Sequence, residues 1–214
     1  MKILGIDEAG RGPVIGPMVL AGVLIDENRL NKLKILGLKD SKQYSAGQRE
    51  ELYKKIVTIV DGYELLIVSP SEIDTSLNDP NHNLNWLEAD KMIELWEKFR
   101  PGKLIADCPS INIEKFTEYV RNRVNQKTIL VLEHKADENY PVVSAASILA
   151  KVTRDKSIET LRGIYGDFGS GYLTDAKTQK FLNTKHNLPI FRKSWISWKR
   201  VDKDKNQKKL GEFS

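Results

Sequence analysis

Short apolar runs alternate with longer amphipathic segments along this chain, and polar stretches with glycine and proline separate them. Runs rich in isoleucine, leucine and valine predict five strands, at residues 2–7, 18–25, 63–68, 103–107 and 128–133. Amphipathic segments predict helices at residues 45–60, 83–99, 113–124 and 142–165, and one more from a cap at Thr174 to residue 184. Strands and helices are therefore expected to alternate over most of the chain.

The order of these elements favours an α/β fold. A turn rich in glycine and proline joins the first two strands, which is typical of a hairpin. The later part alternates strand, helix, strand and helix, so we expect a mixed sheet with helices on its faces. In such sheets, functional residues gather where parallel strands end.

Composition restricts the class of protein. The chain has 214 residues, of which 40% are apolar and 29% charged, as in ordinary globular proteins. The single cysteine, Cys108, excludes a disulfide within the chain and leaves too few ligands for a cysteine-based zinc site. The longest apolar stretch, residues 14–25, is shorter than the ~20 residues of a transmembrane helix, and the N-terminus has no signal-peptide pattern. We expect a cytoplasmic protein that does not enter a membrane.

Basic residues are concentrated near the C-terminus. The formal net charge is +5, and residues 199–209 contain six lysines and arginines against two aspartates. Such a tail can be a solvated end, or it can attract nucleic acid without sequence preference. The charge pattern alone leaves both interpretations open.

Carboxylates follow three of the predicted strands, and in chain order they are Asp7, Glu8, Asp107 and Asp137. A single acid is most often a solvated loop residue, but Asp7 and Asp107 each end an apolar run. Adjacent acids there repel each other unless a cation binds them. A set of ligands made of carboxylates alone favours Mg²⁺ or Mn²⁺ over zinc. A pair of such ions can stabilise the attacking and leaving oxygens of phosphoryl transfer.

The glycines of Gly10-Arg11-Gly12 allow backbone N–H groups to approach a ligand closely. A dinucleotide-binding loop is a possible alternative, but such a loop leads into a helix, whereas here Pro13 and Pro17 precede another strand-like run. A plain turn is the other alternative. The neighbouring acids favour ligand contact.

Two further segments carry candidate binding residues. Lys42, in Asp40-Ser41-Lys42, is either a surface charge or a phosphate contact. Tyr172, in Gly169-Ser170-Gly171-Tyr172, is either a packed turn residue or a ring that stacks on a sugar or base.

Taken together, these segments resemble type 2 ribonuclease H (ribonuclease HII) in its archaeal form. The segments that carry the resemblance are residues 5–13, 40–42, 106–107, 135–137, 141–155 and 169–172, in the order of the family. The first and the fifth of them are highly specific. Two positions depart from the family pattern: Leu173 follows Tyr172, where proline is common, and Cys108 follows the third acid. Neither departure affects the acids.

The resemblance implies an RNase H-like mixed five-stranded sheet flanked by helices. It implies a catalytic domain over residues 1–185 and a helical C-terminal extension with a basic tail over residues 186–214. It also implies a metal-dependent endonuclease that cuts the RNA strand of RNA–DNA hybrids. Such an enzyme also cuts on the 5′ side of ribonucleotides embedded in duplex DNA, leaving 3′-hydroxyl and 5′-phosphate ends. We expect the protein to act as a monomer.

Roles for individual residues follow from the same resemblance. The acids that would hold two Mg²⁺ or Mn²⁺ ions are Asp7, Glu8, Asp107 and Asp137. The residues that would contact substrate are Gly10, Arg11 and Gly12 at the 2′-hydroxyl, Tyr172 at the sugar, and Lys42 at a phosphate.

The last residues are similar to a peptide that binds a sliding clamp. Gln207, Leu210 and Phe213 have the spacing of glutamine, aliphatic and aromatic residues in such peptides, with Ser214 where a second aromatic is usual. One tight turn would bring Leu210 and Phe213 to one face, where they can enter an apolar groove. The alternative is a frayed chain end.

Two rival functions are consistent with parts of the pattern. One is a different metal-dependent nuclease or a phosphatase on the same sheet. The other is a non-catalytic module that binds nucleic acid through the basic tail. The four acids favour an enzyme, because converging carboxylates repel phosphate and give a pure binding module no advantage.

Overall fold

The structure, a computed structural model, describes residues 1–38 and 41–211, and for Lys42 and residues 208–211 it describes the backbone alone. The strands in this part of the chain are β1 (Lys2–Ala9), β2 (Met18–Asp26), β3 (Gly62–Val68), β4 (Lys103–Asp107) and β5 (Ile129–Glu133). The α-helices there are α1 (Leu30–Ile35), α2 (Ala46–Ile59), α3 (Pro70–Asn78), α4 (Leu84–Phe99), α5 (Ile113–Arg121), α6 (Ala136–Asn139), α7 (Pro141–Tyr165), α8 (Ala176–Lys185) and α9 (Ile196–Gly211).

The strands form one mixed sheet in the order β3-β2-β1-β4-β5, which confirms the expected architecture. β1 is antiparallel to β2 and parallel to β4, and β4 is parallel to β5. The pairing of β1 with β4 ends at Ile6 and Ala106, so the next residue of each strand, Asp7 or Asp107, lies where the two strands begin to separate. The sheet order therefore brings the ends of β1 and β4, and with them Asp7 and Asp107, to one crevice.

The two faces of the sheet are covered by different helices because alternate strand residues point in opposite directions. Leu4 and Ile6 pack in the cluster that contains α4. Ile3 and Ala9 pack in the cluster that contains α7, whose small residues let this helix lie close to β1. By the same alternation, Asp7 faces α7 and Glu8 faces α4.

Some predicted element ends were wrong and others were confirmed. Helix α8 begins after Asp175, whose side chain accepts a hydrogen bond from the N–H of Lys177, so the cap is one residue later than the expected Thr174. The signals of α3 are a cap at Ser69 and Pro70 in the first turn, which were overlooked. The capping box of Ser45 and Gln48 at the start of α2 is confirmed. No helix in the described part of the chain could span a membrane.

A third apolar cluster lies beside the sheet and includes the C-terminal segment. Phe191 forms an isolated β-bridge with Ile15, in the loop after β1, and both side chains are fully buried. Trp195 and Trp198 pack against the same cluster. The division at residue 185 stays a prediction, but this contact joins the chain after residue 185 to the loop that follows the first acids.

Candidate active site

Three carboxylates converge at the ends of β1 and β4. One oxygen from each of Asp7, Glu8 and Asp107 lies within 4.8 Å of the others. Asp137, in α6, lines the same cleft but is not part of this group. The backbone N–H of Ala136, next to Asp137, donates to Oδ1 of Asp107 at 3.0 Å, which fixes α6 beside the acids.

Burial and mutual repulsion make Asp7 and Glu8 reluctant to ionise. Burial, followed by the charge of Glu8, raises the pKa of Asp7 well above its usual value. Burial and the charge of Asp107 raise the pKa of Glu8 to about 7. Hydrogen bonds from the Ser147 side chain and the Glu8 backbone to Asp7 act in the opposite direction but are smaller effects. The metal-free site is therefore under electrostatic strain at neutral pH.

A divalent cation fits this group of residues. All three converging ligand atoms are carboxylate oxygens, which is the donor set that Mg²⁺, Mn²⁺ and Ca²⁺ prefer. Burial and the neighbouring carboxylates raise the pKa values of Asp7 and Glu8, and a bound cation would offset both effects by stabilising the ionised forms.

The loop after β1 is held in a conformation that requires glycine. Gly10 has a φ of +81°, and a Cβ atom there would lie 2.9 Å from the carbonyl oxygen of Pro17. The Arg11 side chain extends towards α4. Its Nη2 donates to Oδ1 of Asn85 at 2.7 Å, and its Nε lies 2.8 Å from Oε1 of Glu88 as an ion pair rather than a directed hydrogen bond.

Glu88 is a site residue that the sequence analysis missed. It is fully buried, and burial followed by the charge of Glu8 raises its pKa well above the usual value. A signal was present, because the spacing of Leu84, Leu87 and Met92 places Glu88 on the apolar face of α4. A buried acid on such a face is expected to have a cationic partner, and here the partner is Arg11.

Tyr172 faces the glycine loop across the cleft. Its ring carbon Cε1 would lie 3.7 Å from a Cβ atom on Gly12, and 40% of the residue is exposed. The guanidinium of Arg154 lies 5.7 Å from the centre of the ring. A hydrogen bond of 2.9 Å from the Val14 N–H to the Gly171 carbonyl joins the two loops. The ring is thus held beside Gly12 with one side open to a ligand.

The turn that carries Lys42 lies next to the same cleft. Residues Ser41–Gln43 form a 3₁₀ turn, and the hydroxyl oxygens of Ser41 and Ser147 lie 3.1 Å apart. Ser41 itself lines the cleft. The side chain of Lys42 lies outside what the structure describes, so its phosphate contact stays a prediction.

One face of α7 adds polar residues that the sequence analysis did not single out. Ser147, Lys151 and Arg154 line the cleft at helical spacings of four and three residues, a periodicity that could have identified them. The cleft has a volume of about 690 Å³, and both the acids and the basic side chains of Lys151 and Arg154 line it. This distribution of charge suits a polyanionic ligand that contacts the basic side chains and, at the acids, bound cations.

The residues of the expected clamp-binding peptide are only partly described. Gln207 and Leu210 are three residues apart in the last turns of α9, where the backbone is helical. Phe213 lies outside the described residues. The peptide therefore stays a prediction.

The chain has full-length similarity to known proteins. A family model, Ribonuclease HII, matches residues 4–201. The Ribonuclease HII of Pyrococcus furiosus is 45% identical over 98% of this chain and 95% of that relative. The crystal structure of ribonuclease H2 from Pyrococcus horikoshii OT3 has a TM-score of 0.88 and 40% identity, covering 95% of this chain and 98% of that one. The RNase HII in the PCNA:RNase HII complex of Archaeoglobus fulgidus has a TM-score of 0.81 and 39% identity, covering 91% and 95%.

Proposed function

Since the chain belongs to the ribonuclease HII family and is a ribonuclease H type endonuclease, we propose that it acts on RNA–DNA hybrids and on duplex DNA with embedded ribonucleotides. The cut falls on the 5′ side of the ribonucleotide and leaves 3′-hydroxyl and 5′-phosphate ends. The observation that carries this proposal is the convergence of Asp7, Glu8 and Asp107 at the ends of two parallel strands.

The acids are proposed to hold Mg²⁺ or Mn²⁺, with Asp137 joining the three converging carboxylates. Such ions lower the pKa of water and neutralise charge that develops on the phosphate. The chain supports the acids by orienting them. The backbone N–H of Glu8 and the hydroxyl of Ser147 donate to Asp7, and the N–H of Ala136 donates to Asp107.

The choice of RNA over DNA is assigned to the loop of Gly10, Arg11 and Gly12. Its backbone is accessible to a 2′-hydroxyl, because Gly10 and Gly12 have no side chains and the Arg11 side chain is directed towards α4. Tyr172, opposite Gly12, would stack on the sugar next to the scissile bond. Lys151 and Arg154 lie at the cleft and can attract phosphates.

The first test maps the cut in a duplex that carries a single ribonucleotide. We expect one product pair, cut on the 5′ side with a 3′-hydroxyl end, and no cleavage of the same duplex made entirely of DNA. End-labelled strands resolved beside a hydrolysis ladder give the position, and treatment with a 3′-end-specific phosphatase identifies the end. Efficient cutting of the all-DNA duplex would contradict recognition of the 2′-hydroxyl by this loop.

We further propose that the C-terminal peptide binds a sliding clamp. The support is the spacing of Gln207, Leu210 and Phe213, together with the complex that the Archaeoglobus fulgidus relative forms with PCNA. An aliphatic and an aromatic residue at this spacing can fill an apolar groove.

The expected monomer and the cytoplasmic location stay predictions.

Two double variants separate clamp binding from attraction to DNA. Leu210→Ala with Phe213→Ala should abolish binding to an archaeal PCNA in a pull-down or calorimetric titration, while cleavage of a short duplex is unchanged. The matched control, Lys208→Ala with Lys209→Ala, removes charge but retains the apolar residues, so it should weaken DNA binding and retain PCNA binding. Undiminished PCNA binding by the first variant would discard the peptide.

A further inference from the structure

A buried arginine from the C-terminal segment binds backbone carbonyls of the glycine loop, Gly10-Arg11-Gly12. Arg192 is fully buried, and its guanidinium donates to three backbone carbonyls rather than to a carboxylate. Nη2 donates to Gly10 at 2.5 Å, Nη1 to Arg11 at 2.7 Å and Nε to Gly16 at 3.0 Å. One side chain thus joins both ends of the loop.

Trp195 supplies a hydrogen bond to the remaining carbonyl. Its indole Nε1 donates to the Gly12 carbonyl oxygen at 3.2 Å. The guanidinium of Arg192 lies 4.9 Å from the centre of the Trp195 ring, so the two side chains form one support. Every carbonyl of Gly10-Arg11-Gly12 therefore accepts a hydrogen bond from residues 192–195.

The supporting segment is itself fixed at separate points. The backbone N–H of Arg192 donates to the Val14 carbonyl at 2.9 Å. The carboxylate of Asp74, in α3, accepts hydrogen bonds of 2.8 Å from the N–H groups of Lys193 and Ser194. Asp74 therefore holds the segment without contacting the carbonyls of the loop, which makes it a natural control.

The two bonds from Arg192 to the Gly10 and Arg11 carbonyls have a consequence on the other side of the same peptide groups. The Gly10 carbonyl shares its peptide group with the Arg11 N–H, and the Arg11 carbonyl shares its own with the Gly12 N–H. Within the part of the chain that the structure describes, neither N–H has a hydrogen-bond acceptor. A charged donor on the carbonyl polarises the peptide group, and this strengthens the N–H as a donor.

A cation buried against neutral carbonyls is unfavourable unless it provides a benefit elsewhere. Burial and the charge of Arg154 lower the pKa of Arg192 to about 9, so the side chain remains a cation at neutral pH. Its positive charge lies on the carbonyl side of a loop that is proposed to bind a phosphate-bearing substrate.

We propose that Arg192 and Trp195 are positioning residues that make the glycine loop selective for ribonucleotides. They fix the three carbonyls and so present the N–H groups of Arg11 and Gly12 to the 2′-hydroxyl. The inference rests on the proposed function, because it takes the loop as the reader of that hydroxyl. It makes the C-terminal segment part of the recognition site.

The test compares the affinity of each variant for two duplexes that are identical except for one ribonucleotide in place of a deoxyribonucleotide. Binding is measured by fluorescence anisotropy in chelator, so that neither duplex is cut, and the ratio of the two dissociation constants measures selectivity. Trp195→Phe removes the indole donor and should lower the ratio about two- to tenfold, as expected for one hydrogen bond. Arg192→Lys, which loses donors but keeps the charge, should lower it further.

The Asp74→Asn variant is the control that distinguishes positioning of the loop carbonyls from a general loosening of residues 192–195. It should lower the melting temperature and leave the selectivity ratio at the wild-type value. If Arg192→Lys fails to fold, Trp195→Phe decides the question. A wild-type ratio in Trp195→Phe, or an equal fall of the ratio in Asp74→Asn, would overturn the inference and leave the proposed function intact. Equal binding of both duplexes by the wild-type protein would instead contradict reading of the 2′-hydroxyl by the loop, and the inference with it.

Discussion

Replacement of Asp7 by asparagine is expected to lower the rate of cleavage at saturating Mg²⁺ or Mn²⁺ by about a thousandfold or more. Asp7 is one of three carboxylates with oxygens within 4.8 Å of one another, and the amide removes both a charge and a ligand from the proposed metal site. Stabilisation by a bound metal ion is worth several kcal/mol, and every ~1.4 kcal/mol is a factor of ten in rate. Single-turnover cleavage of a duplex with one ribonucleotide measures the effect.

The same substitution should stabilise the metal-free protein, which distinguishes loss of chemistry from loss of fold. Burial and the charge of Glu8 raise the pKa of Asp7, so the folded metal-free state holds this proton more tightly than the unfolded state does. The free energy of unfolding of the wild-type protein therefore falls as the pH rises above about 4, the ordinary pKa of an aspartate, towards the raised pKa of Asp7. The Asp7→Asn variant has no carboxylate at this position and does not lose this stability. The difference in melting temperature in chelator should be small at about pH 4 and larger at about pH 8.

The control for Asp7→Asn is Glu97→Gln, the same change from carboxylate to amide at an exposed position in α4. It should leave cleavage unchanged, because Glu97 is exposed and does not line the cleft. Full activity of Asp7→Asn, or of the wild-type enzyme in excess chelator, would rule out the metal-dependent mechanism.

Replacement of Gly5 by alanine is expected to destabilise the protein by about 3 kcal/mol, at the upper end of the range for overpacked cores. A Cβ atom on Gly5 would lie 2.6 Å from both the carbonyl carbon and the oxygen of Val142, in the first turn of α7. These are backbone atoms, so no side-chain rotation relieves the contact, and β1 and α7 must separate. The melting temperature should fall by about 6–12 °C in a calorimetric scan.

The matched control is Gly163→Ala, the same substitution near the other end of α7. A Cβ atom there has no neighbour within 4 Å, and the residue is exposed in a helix, so the change should stabilise the protein by about 0.5–1 kcal/mol. Because Gly5→Ala displaces the helix that carries Ser147, it should also reduce cleavage. An unchanged melting temperature would show that β1 and α7 are not as closely packed as the structure has them.

Much of the site could be predicted from local pattern. Asp7 and Asp107 each end an apolar run, which identified them as candidates, and they converge because the sheet makes β1 and β4 parallel neighbours. The capping box at Ser45 was equally visible, because both of its residues lie within one turn. Glu88 was visible in principle, since helical periodicity alone places it on the apolar face of α4.

Other features have no local signal. Nothing near Arg192 in the sequence indicates that its side chain reaches carbonyls about 180 residues earlier in the chain. The requirement for glycine at residue 10 likewise depends on packing, because the Pro17 carbonyl that leaves no room for a Cβ atom there approaches only after the loop has closed.

The sequence by itself determined the elements, their order and the acids at the strand ends, because periodicity, capping and turn residues act over a few residues of chain. It also carried the ribonuclease HII resemblance in segments from residue 5 to residue 172. Only the tertiary structure decided which side chains support those segments. Glu88 became the partner of Arg11, and Arg192 with Trp195 became the support of the glycine loop. These contacts depend on how distant segments pack, and a buried charge reveals its partner only when the packing is known.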